Sequence, residues 1–272
     1  MRPIPKKVAG RLSLGIKKFK PVLEDARSRD INESDTVVIV TDMLSEIFGF
    51  AKYSEITSEF AIRGTFCDIV TRIDGDLQYL IEAKAIGLEL KDSYVKQAID
   101  YAANEGIDWV ILTNGIYWII FKVSFSKPID KDQVIEFNFL ELNPKNKTHL
   151  EMLFSLSREG CNKSILDEYH SRRQVLSKYF IGSIIMTDSI LNSIRKELRK
   201  IEPEVKIEVE QLRDLITQDV IKRDILDSEK SKEATKKINR ALNREMRKKE
   251  KVKQQKSKEN NNVDSFTELN GS

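Results

Sequence analysis

Histidine and cysteine are scarce in this chain, with two of each among 272 residues, and that scarcity removes whole classes of chemistry. Cys67 sits in an apolar run and Cys161 in a distant polar segment, so neither a disulfide framework nor a thiolate zinc site is expected. A reducing, cytoplasmic location fits that usage. His149 and His170 both fall outside the segment expected to form the core, which argues against histidine-based nucleophilic or zinc catalysis. No apolar run approaches the roughly 18–20 residues of a membrane span, and the longest candidate, Tyr179 to Ile185, is far shorter. Met1 to Lys20 is basic without an apolar centre and does not read as a secretory signal. Gly10 and Gly15 have phosphate-loop spacing, but Ile16-Lys17-Lys18 replaces the Gly-Lys-Ser/Thr that would contact phosphates, so no ATP motif is present.

What the chain does have is a concentration of charge inside an apolar setting. Thr65 to Ile73 and Leu77 to Lys84 flank Asp74-Gly75-Asp76, which reads as a hairpin with a three-residue loop. In that register Asp68 faces Glu82, and directly opposed side chains have Cβ atoms roughly 4.5–5.5 Å apart. Two carboxylates held so close repel unless a cation intervenes. Lys84, two residues beyond Glu82, projects from the same face. Phe66, Val70 and Leu80 share that face, while Cys67, Ile69, Ile81 and Ala83 form the other, so both faces are otherwise apolar. Such strands lie in the middle of a sheet, where charge is retained for pairing or for chemistry. A structural ion triad, with Lys84 bridging Asp68 and Glu82, would carry surplus negative charge and stabilise poorly against an apolar replacement. A divalent cation accounts for that surplus better.

Downstream, Lys91 to Glu105 reads as a helix with the apolar stripe Val95, Ala98, Ile99 and Ala102, and Gln97 and Tyr101 share another face four residues apart. They are either part of a site or the semi-exposed edge of an amphipathic helix. An apolar strand ending in Thr113-Asn114-Gly115 follows. Asp68, Glu82-Ala83-Lys84, then Gln97 with Tyr101, resembles the PD-(D/E)xK nuclease superfamily. From about Asn32 to Val123, including VKQAIDYAANEGIDWVILTNGIYWIIF, the chain is most similar to the N-terminal nuclease domain of type I restriction enzyme R subunits and its small stand-alone relatives. Cys67 stands where the motif's name has proline.

The resemblance implies that Asp68 and Glu82 hold Mg²⁺ or Mn²⁺ together with the Ala83 carbonyl, as suits a hard cation that prefers oxygen. It implies that Lys84, its pKa lowered by the nearby metal, orients or deprotonates the attacking water and stabilises charge on the phosphate. Gln97 and Tyr101 would hold substrate or support the catalytic groups. An additional acid from the first helix is implied too: Glu33 is preferred, although an N-terminal glutamate also complements a helix dipole, with Glu46 and Glu59 as alternatives. The expected reaction is metal-assisted hydrolysis of DNA phosphodiester bonds, of a restriction or phage-defence type. With no motor of its own, the chain would act alone, as a homodimer, or with a motor or specificity protein supplied in trans. The alternative function is a non-cleaving nucleic-acid-binding or adaptor protein that keeps the nuclease fold.

The fold class expected is α/β, a restriction-endonuclease-like core of helix, three strands, helix, strand, strand in a mixed sheet, followed by an α-helical C-terminal region. Residues 1–30 read as a basic lead-in carrying Lys6, Lys7, Arg11, Lys17, Lys18 and Lys20, either touching phosphate or packed loosely on the domain. Residues 31–145 form the nuclease-like domain, opening with a helix from Glu33 to Gly49 and continuing through strands Glu55 to Ile62, Phe66 to Ile73, Leu77 to Ala83, Trp109 to Thr113 and Tyr117 to Val123. Residues 146–256 read as helical, with helices at Leu150 to Phe154, Ile165 to Phe180, Ile184 to Arg199 and Val205 to Leu226. From Lys232 to Lys256, Lys236, Lys237, Arg240, Arg244, Arg247, Lys248, Lys249, Lys251 and Lys253 outnumber Glu233, Glu245 and Glu250, an asymmetry hidden by the formal net charge of +3. Such a stretch either binds phosphate backbones or is a solvated tail. Residues 257–272 are expected to be disordered.

Overall fold

A computed structural model describes residues 3–62, 65–125 and 129–247. The tail 257–272 and Lys248, Lys249, Lys251 and Lys253 lie outside the described residues. The chain folds as two units, Met1–His170 and Ser171–Ser272, and the described residues are mixed α/β.

The first unit is built on a six-stranded mixed sheet with strand order β1-β2-β3-β4-β5-β6. The strands are β1 (Ile56–Ile62), β2 (Thr65–Ile73), β3 (Asp76–Ala83), β4 (Trp109–Thr113), β5 (Tyr117–Ser124) and β6 (Asp130–Asn138). All neighbours are antiparallel except β3 and β4, which run parallel. A parallel step needs a crossover, and the chain makes it with a helix over Asp92–Glu105 that ends at left-handed Gly106, φ 71°. Val95, Ala98, Ile99 and Ala102 of that helix are buried with Val70, Leu80, Val110 and Leu112 against one face of the sheet. Cys67 joins this cluster rather than the opposite face on which alternation placed it. It lies beyond Ile69↔Ile81, the last β2/β3 pair, and there pairs with Phe60 of β1, which packs against the same cluster.

The other face is covered by α1 (Lys6–Ser28) and α2 (Glu33–Glu46), so the crossover helix is α3 in chain order. The helix α1 overturns the picture of a loose basic lead-in. Leu12, Ile16, Leu23 and Ala26 are fully buried, with Val8 and Phe19 close to it, at spacings of three and four that make one apolar stripe, while Lys6, Lys7 and Lys17 lie on the outer side. Gly15 lets α1 meet α2 closely, since a Cβ there would lie 2.7 Å from Ile47 Cγ1. The abundance of lysine concealed the stripe.

Strand β6 also went unanticipated, because Asp130, Lys131, Asp132 and Gln133 make its first half polar; its second half buries Val134, Ile135 and Phe137. The first unit also reaches past residue 145. Helices α4 (Lys147–Leu156) and α6 (Ile165–Val175) contribute Leu153, Phe154, Leu156, Ile165 and Leu166 to its core, and Cys161 of α5 (Arg158–Cys161) packs against it. Long-range ion pairs fasten this segment: Arg158 Nε donates to Glu55 Oε1 at 2.7 Å and Oε2 at 2.9 Å, and Arg11 donates to both carboxylate oxygens of Glu159 at 2.7 and 2.6 Å. Pairs so distant in sequence leave no local signal.

The second unit contains α7 (Lys178–Ile185), α8 (Asp188–Ile201), α9 (Val209–Leu215), α10 (Arg223–Leu226) and a further helix, α11, over 229–247. The helix anticipated from Ile165 to Phe180 is interrupted where Ser177 caps α7 by accepting from Phe180 N at 3.2 Å. The one anticipated from Val205 to Leu226 starts at Val209, passes through a π-turn at Ile216–Val220 and breaks at Ile221, whose backbone is extended. Among the described residues no helix is long and apolar enough to cross a membrane.

If α1 is integral to the first unit, Leu12→Ala leaves a cavity in that layer. Urea unfolding is expected to show a loss of about 2–5 kcal/mol, whereas a loosely held lead-in would show almost none.

Candidate active site

The β2–β3 hairpin sets the site, by a route different from the expected three-residue loop. Asp74 and Gly75 alone form the loop, with φ of 52° and 95°, the left-handed pair that a tight hairpin turn requires. Ile73 pairs with Asp76 and Arg72 with Leu77; the register then shifts, leaving Gln78 as a bulge, and Thr71↔Tyr79, Val70↔Leu80 and Ile69↔Ile81 follow. The tighter turn and the bulge cancel, so Asp68 and Glu82 come to facing positions immediately past the last ladder pair. There the Asp68 carboxylate replaces the ladder: its Oδ2 accepts from Ala83 N at 2.7 Å.

Lys84 follows directly, beyond the end of β3, where both layers covering the sheet are within reach. Its Nζ donates to Glu82 Oε1 at 2.8 Å and to Glu33 Oε2 at 3.2 Å. Glu33 opens α2, a helix whose start is fixed by Asn32 Oδ1 accepting from Asp35 N at 2.9 Å. From the other layer, the ring of Tyr94 in the first turn of α3 lies 5.9 Å from Lys84 Nζ, within cation–π range. The Lys84 side chain is 14% exposed, Glu82 21% and Glu33 46%.

The ion pairing therefore differs from the triad considered from sequence. Lys84 bridges Glu82 and Glu33, and Asp68 is held by a backbone amide. Burial pushes the Asp68 pKa up; the Ala83 hydrogen bond and the Lys84 charge oppose this, and Glu33 adds to it. Burial likewise raises Glu82, against the Lys84 hydrogen bond and together with the charges of Asp68 and Glu33. For Lys84 burial works against the ammonium, but the Glu82 hydrogen bond and the charges of Glu82, Glu33 and Asp68 outweigh it and hold the pKa above the ordinary value. This is opposite to the lowering implied beside a bound metal.

Among the described residues, both acids keep an oxygen without a protein hydrogen bond, Asp68 Oδ1 and Glu82 Oε2. Each carboxylate is raised partly by neighbouring negative charge, which a divalent cation between them would offset. Among the described residues no group of three or more His, Cys, Asp or Glu side chains has metal-binding spacing. Mg²⁺ does not require such a cage, since it commonly uses one or two carboxylates, keeps several waters and completes its shell with substrate phosphate. The donor set fits that mode.

The segment after Lys84 is fixed by Thr113-Asn114-Gly115. Lys84 N donates to Thr113 O at 2.8 Å. Asn114 is 2% exposed; its Nδ2 donates to Ile86 O and Leu88 O at 3.2 and 2.9 Å, and its Oδ1 accepts from Ile116 N and Tyr117 N at 3.1 and 2.7 Å. All four amide functions are thus engaged, joining the start of β5 to the segment that leaves the site. Gly115, φ 83°, completes the turn.

Gln97 is exposed and, among the described residues, no hydrogen bond joins it to the charge cluster; Tyr101 is half-buried against the α3-side core. Tyr94, Gln97 and Tyr101 follow one helical stripe, three and then four residues apart, so Tyr94 extends that face toward Lys84. Sequence reasoning passed over Tyr94, although its place one turn before Gln97 was a usable signal. Asn114 was likewise treated only as a turn. Of the other acids considered, Glu46 pairs with Lys18, away from the cluster, and Glu59 is exposed with φ 51°.

The chain matches no family model, no curated protein and no solved structure.

Removing the Asn114 amide by Asn114→Ala should lower stability by about 1–3 kcal/mol in chemical denaturation, because buried backbone groups lose their partners. Burial also pushes the thiols of Cys67 and Cys161 up to about 12. Since the thiolate is the nucleophile, a disulfide reagent at pH 8 should modify the native protein far more slowly than the unfolded chain, in which both thiols react; equal rates would contradict the packing around them.

Proposed function

We propose that this protein is a metal-dependent endonuclease that hydrolyses DNA phosphodiester bonds, with Asp68, Glu82 and Lys84 as its reaction centre in a restriction-endonuclease-like core. The observation that carries this reading is the convergence of Asp68, Glu82, Glu33 and Lys84 at the end of an otherwise apolar central strand. An arrangement maintained for stability alone would be better served by apolar packing. The order helix, three antiparallel strands, crossover helix and parallel strand supports the reading, with α1 and β6 as additions to the expected core.

Asp68 and Glu82 would hold Mg²⁺ or Mn²⁺ through their free oxygens. When bound, such a cation supplies Lewis-acid polarisation of the phosphate and a more acidic water. Lys84 has three N–H donors, two of them engaged by Glu82 and Glu33, which leaves one for a phosphate oxygen or the attacking water. Glu33 and Tyr94 restrict where that ammonium sits, so they act as positioning residues. Gln97 and Tyr101 extend the same side along α3, where an exposed amide and a partly exposed ring suit contact with substrate backbone.

The closed Lys84–Glu82–Glu33 network favours one second reading, a non-cleaving DNA-binding or adaptor protein that keeps the cluster as structure. Incubation of wild-type and Lys84→Ala protein with supercoiled plasmid, in Mg²⁺, Mn²⁺ or chelator, separates the two. The nuclease reading predicts metal-dependent nicking that falls at least about 100-fold in the variant with DNA binding retained. Binding without nicking by wild-type protein in either metal would establish the second reading.

A further inference from the structure

The second unit ends its described portion in a helix with two opposed faces. Ser231, Ala234 and Ile238 of α11 are 3%, 6% and 6% exposed, and Ala234 and Ile238 pack with Phe180 and Ile184 of α7. The Ser231 and Ser183 hydroxyls, 2.9 Å apart, fix the root of this contact. At 3.6 residues per turn, Lys236, Arg240, Arg244 and Arg247 follow one stripe whose mean direction lies about 160° from the packed face. All four are exposed, and none has a hydrogen-bond or ion-pair partner among the described residues. Elsewhere on the helix the cations are engaged: Lys232 pairs with Glu229 at 2.6 Å and Lys237 donates to Gln174 at 2.5 Å.

A solvated helix face ordinarily mixes signs, because like charges four residues apart repel and opposite ones attract. Glu229 and Glu233 share this stripe at the start of the helix and offset Lys236 there, but from Lys236 onward 236, 240 and 244 are successive like charges at that spacing, rising about 6 Å per step, with Arg247 closing the row. A row of this kind loses its internal repulsion against a regularly spaced polyanion. We propose that Lys236, Arg240, Arg244 and Arg247 form a site for the phosphate backbone of duplex nucleic acid, bound without sequence readout. An anionic membrane is disfavoured as partner, since the exposed apolar residues Leu242 and Met246 fall toward the packed side of the helix, not among the four cations. The choice of DNA as the duplex rests on the proposed nuclease activity; the charge geometry does not.

The test uses the full chain in chelator, where nicking cannot interfere, and a 30-base-pair DNA duplex titrated between about 50 and 200 mM salt. Each neutralised phosphate contributes about −0.9 to the slope of log K against log salt, so replacing all four cations by Gln should flatten that slope by about 3–4. Glutamine keeps helix propensity, and circular dichroism checks that the fold survives. A control with Lys6, Lys7, Lys17 and Lys20 of α1 changed to Gln makes the same change in net charge and is expected to affect the slope much less. Equal effects from the two sets, no effect from the α11 set, or binding to phosphatidylserine vesicles without binding to DNA would overturn the proposal. Loss of DNA binding in the α11 variant alongside inactive wild-type protein would refute the nuclease reading and leave this one standing.

Discussion

The first unit is organised around one ammonium group that the fold has to hold among carboxylates. Lys84 lies where β3 leaves the sheet, and Glu82, Glu33 and Tyr94 reach it from the strand, the layer on one face and the layer on the other. The Glu33 contact does not survive displacement of α2, nor the Tyr94 contact displacement of α3. The buried stripe of α2 and the α3 crossover each fix one wall around Lys84, and α1 packs against α2. The Asp68 carboxylate takes over the Ala83 amide where the ladder stops, so the sheet terminates on an acid in place of another strand residue.

Two forces work against this cluster and clarify what it is suited to. Burial raises both Asp68 and Glu82, and the neighbouring acids add to it, so the negative side of the cluster is in surplus. Proteins tolerate such arrangements at sites of reaction or binding, where the strain is relieved by a ligand. Around the cluster Asn114 uses all its amide capacity to hold the segment from Ile86 to Leu88. Hydrogen-bonded backbone beside partly unsatisfied carboxylates is what the proposed cation site would draw on.

Much of this was legible in the sequence, for local reasons. Alternating apolar residues, the Asp74-Gly75 turn and the stripe on α3 identified the strands, the helix and the facing of Asp68 and Glu82. The facing was right although the loop was not, because a bulge at Gln78 compensated for the tighter turn. Helix α1 and strand β6 were missed because charged residues, crowded at the start of β6 and interleaved with the apolar stripe of α1, mask the buried positions. Helix α4 joins the first unit through the buried Leu153, Phe154 and Leu156, and α5 is tied to it by Arg158 with Glu55 and Arg11 with Glu159, pairs separated by 103 and 148 positions. The same holds for Lys84 and Glu33, 51 positions apart: the sequence offered Glu33 as one acid among several, and only the fold brings it to the ammonium.

The central claim is that Asp68 and Glu82 form a divalent-cation site and not a structural ion cluster. Equilibrium unfolding of wild-type protein and Asp68→Asn, each in chelator and in millimolar Mn²⁺, tests it without reference to activity. A cation held by the native state stabilises it by mass action, so the wild-type midpoint should rise with Mn²⁺ while the variant's stays fixed. Identical responses of the two proteins to Mn²⁺ would contradict the account.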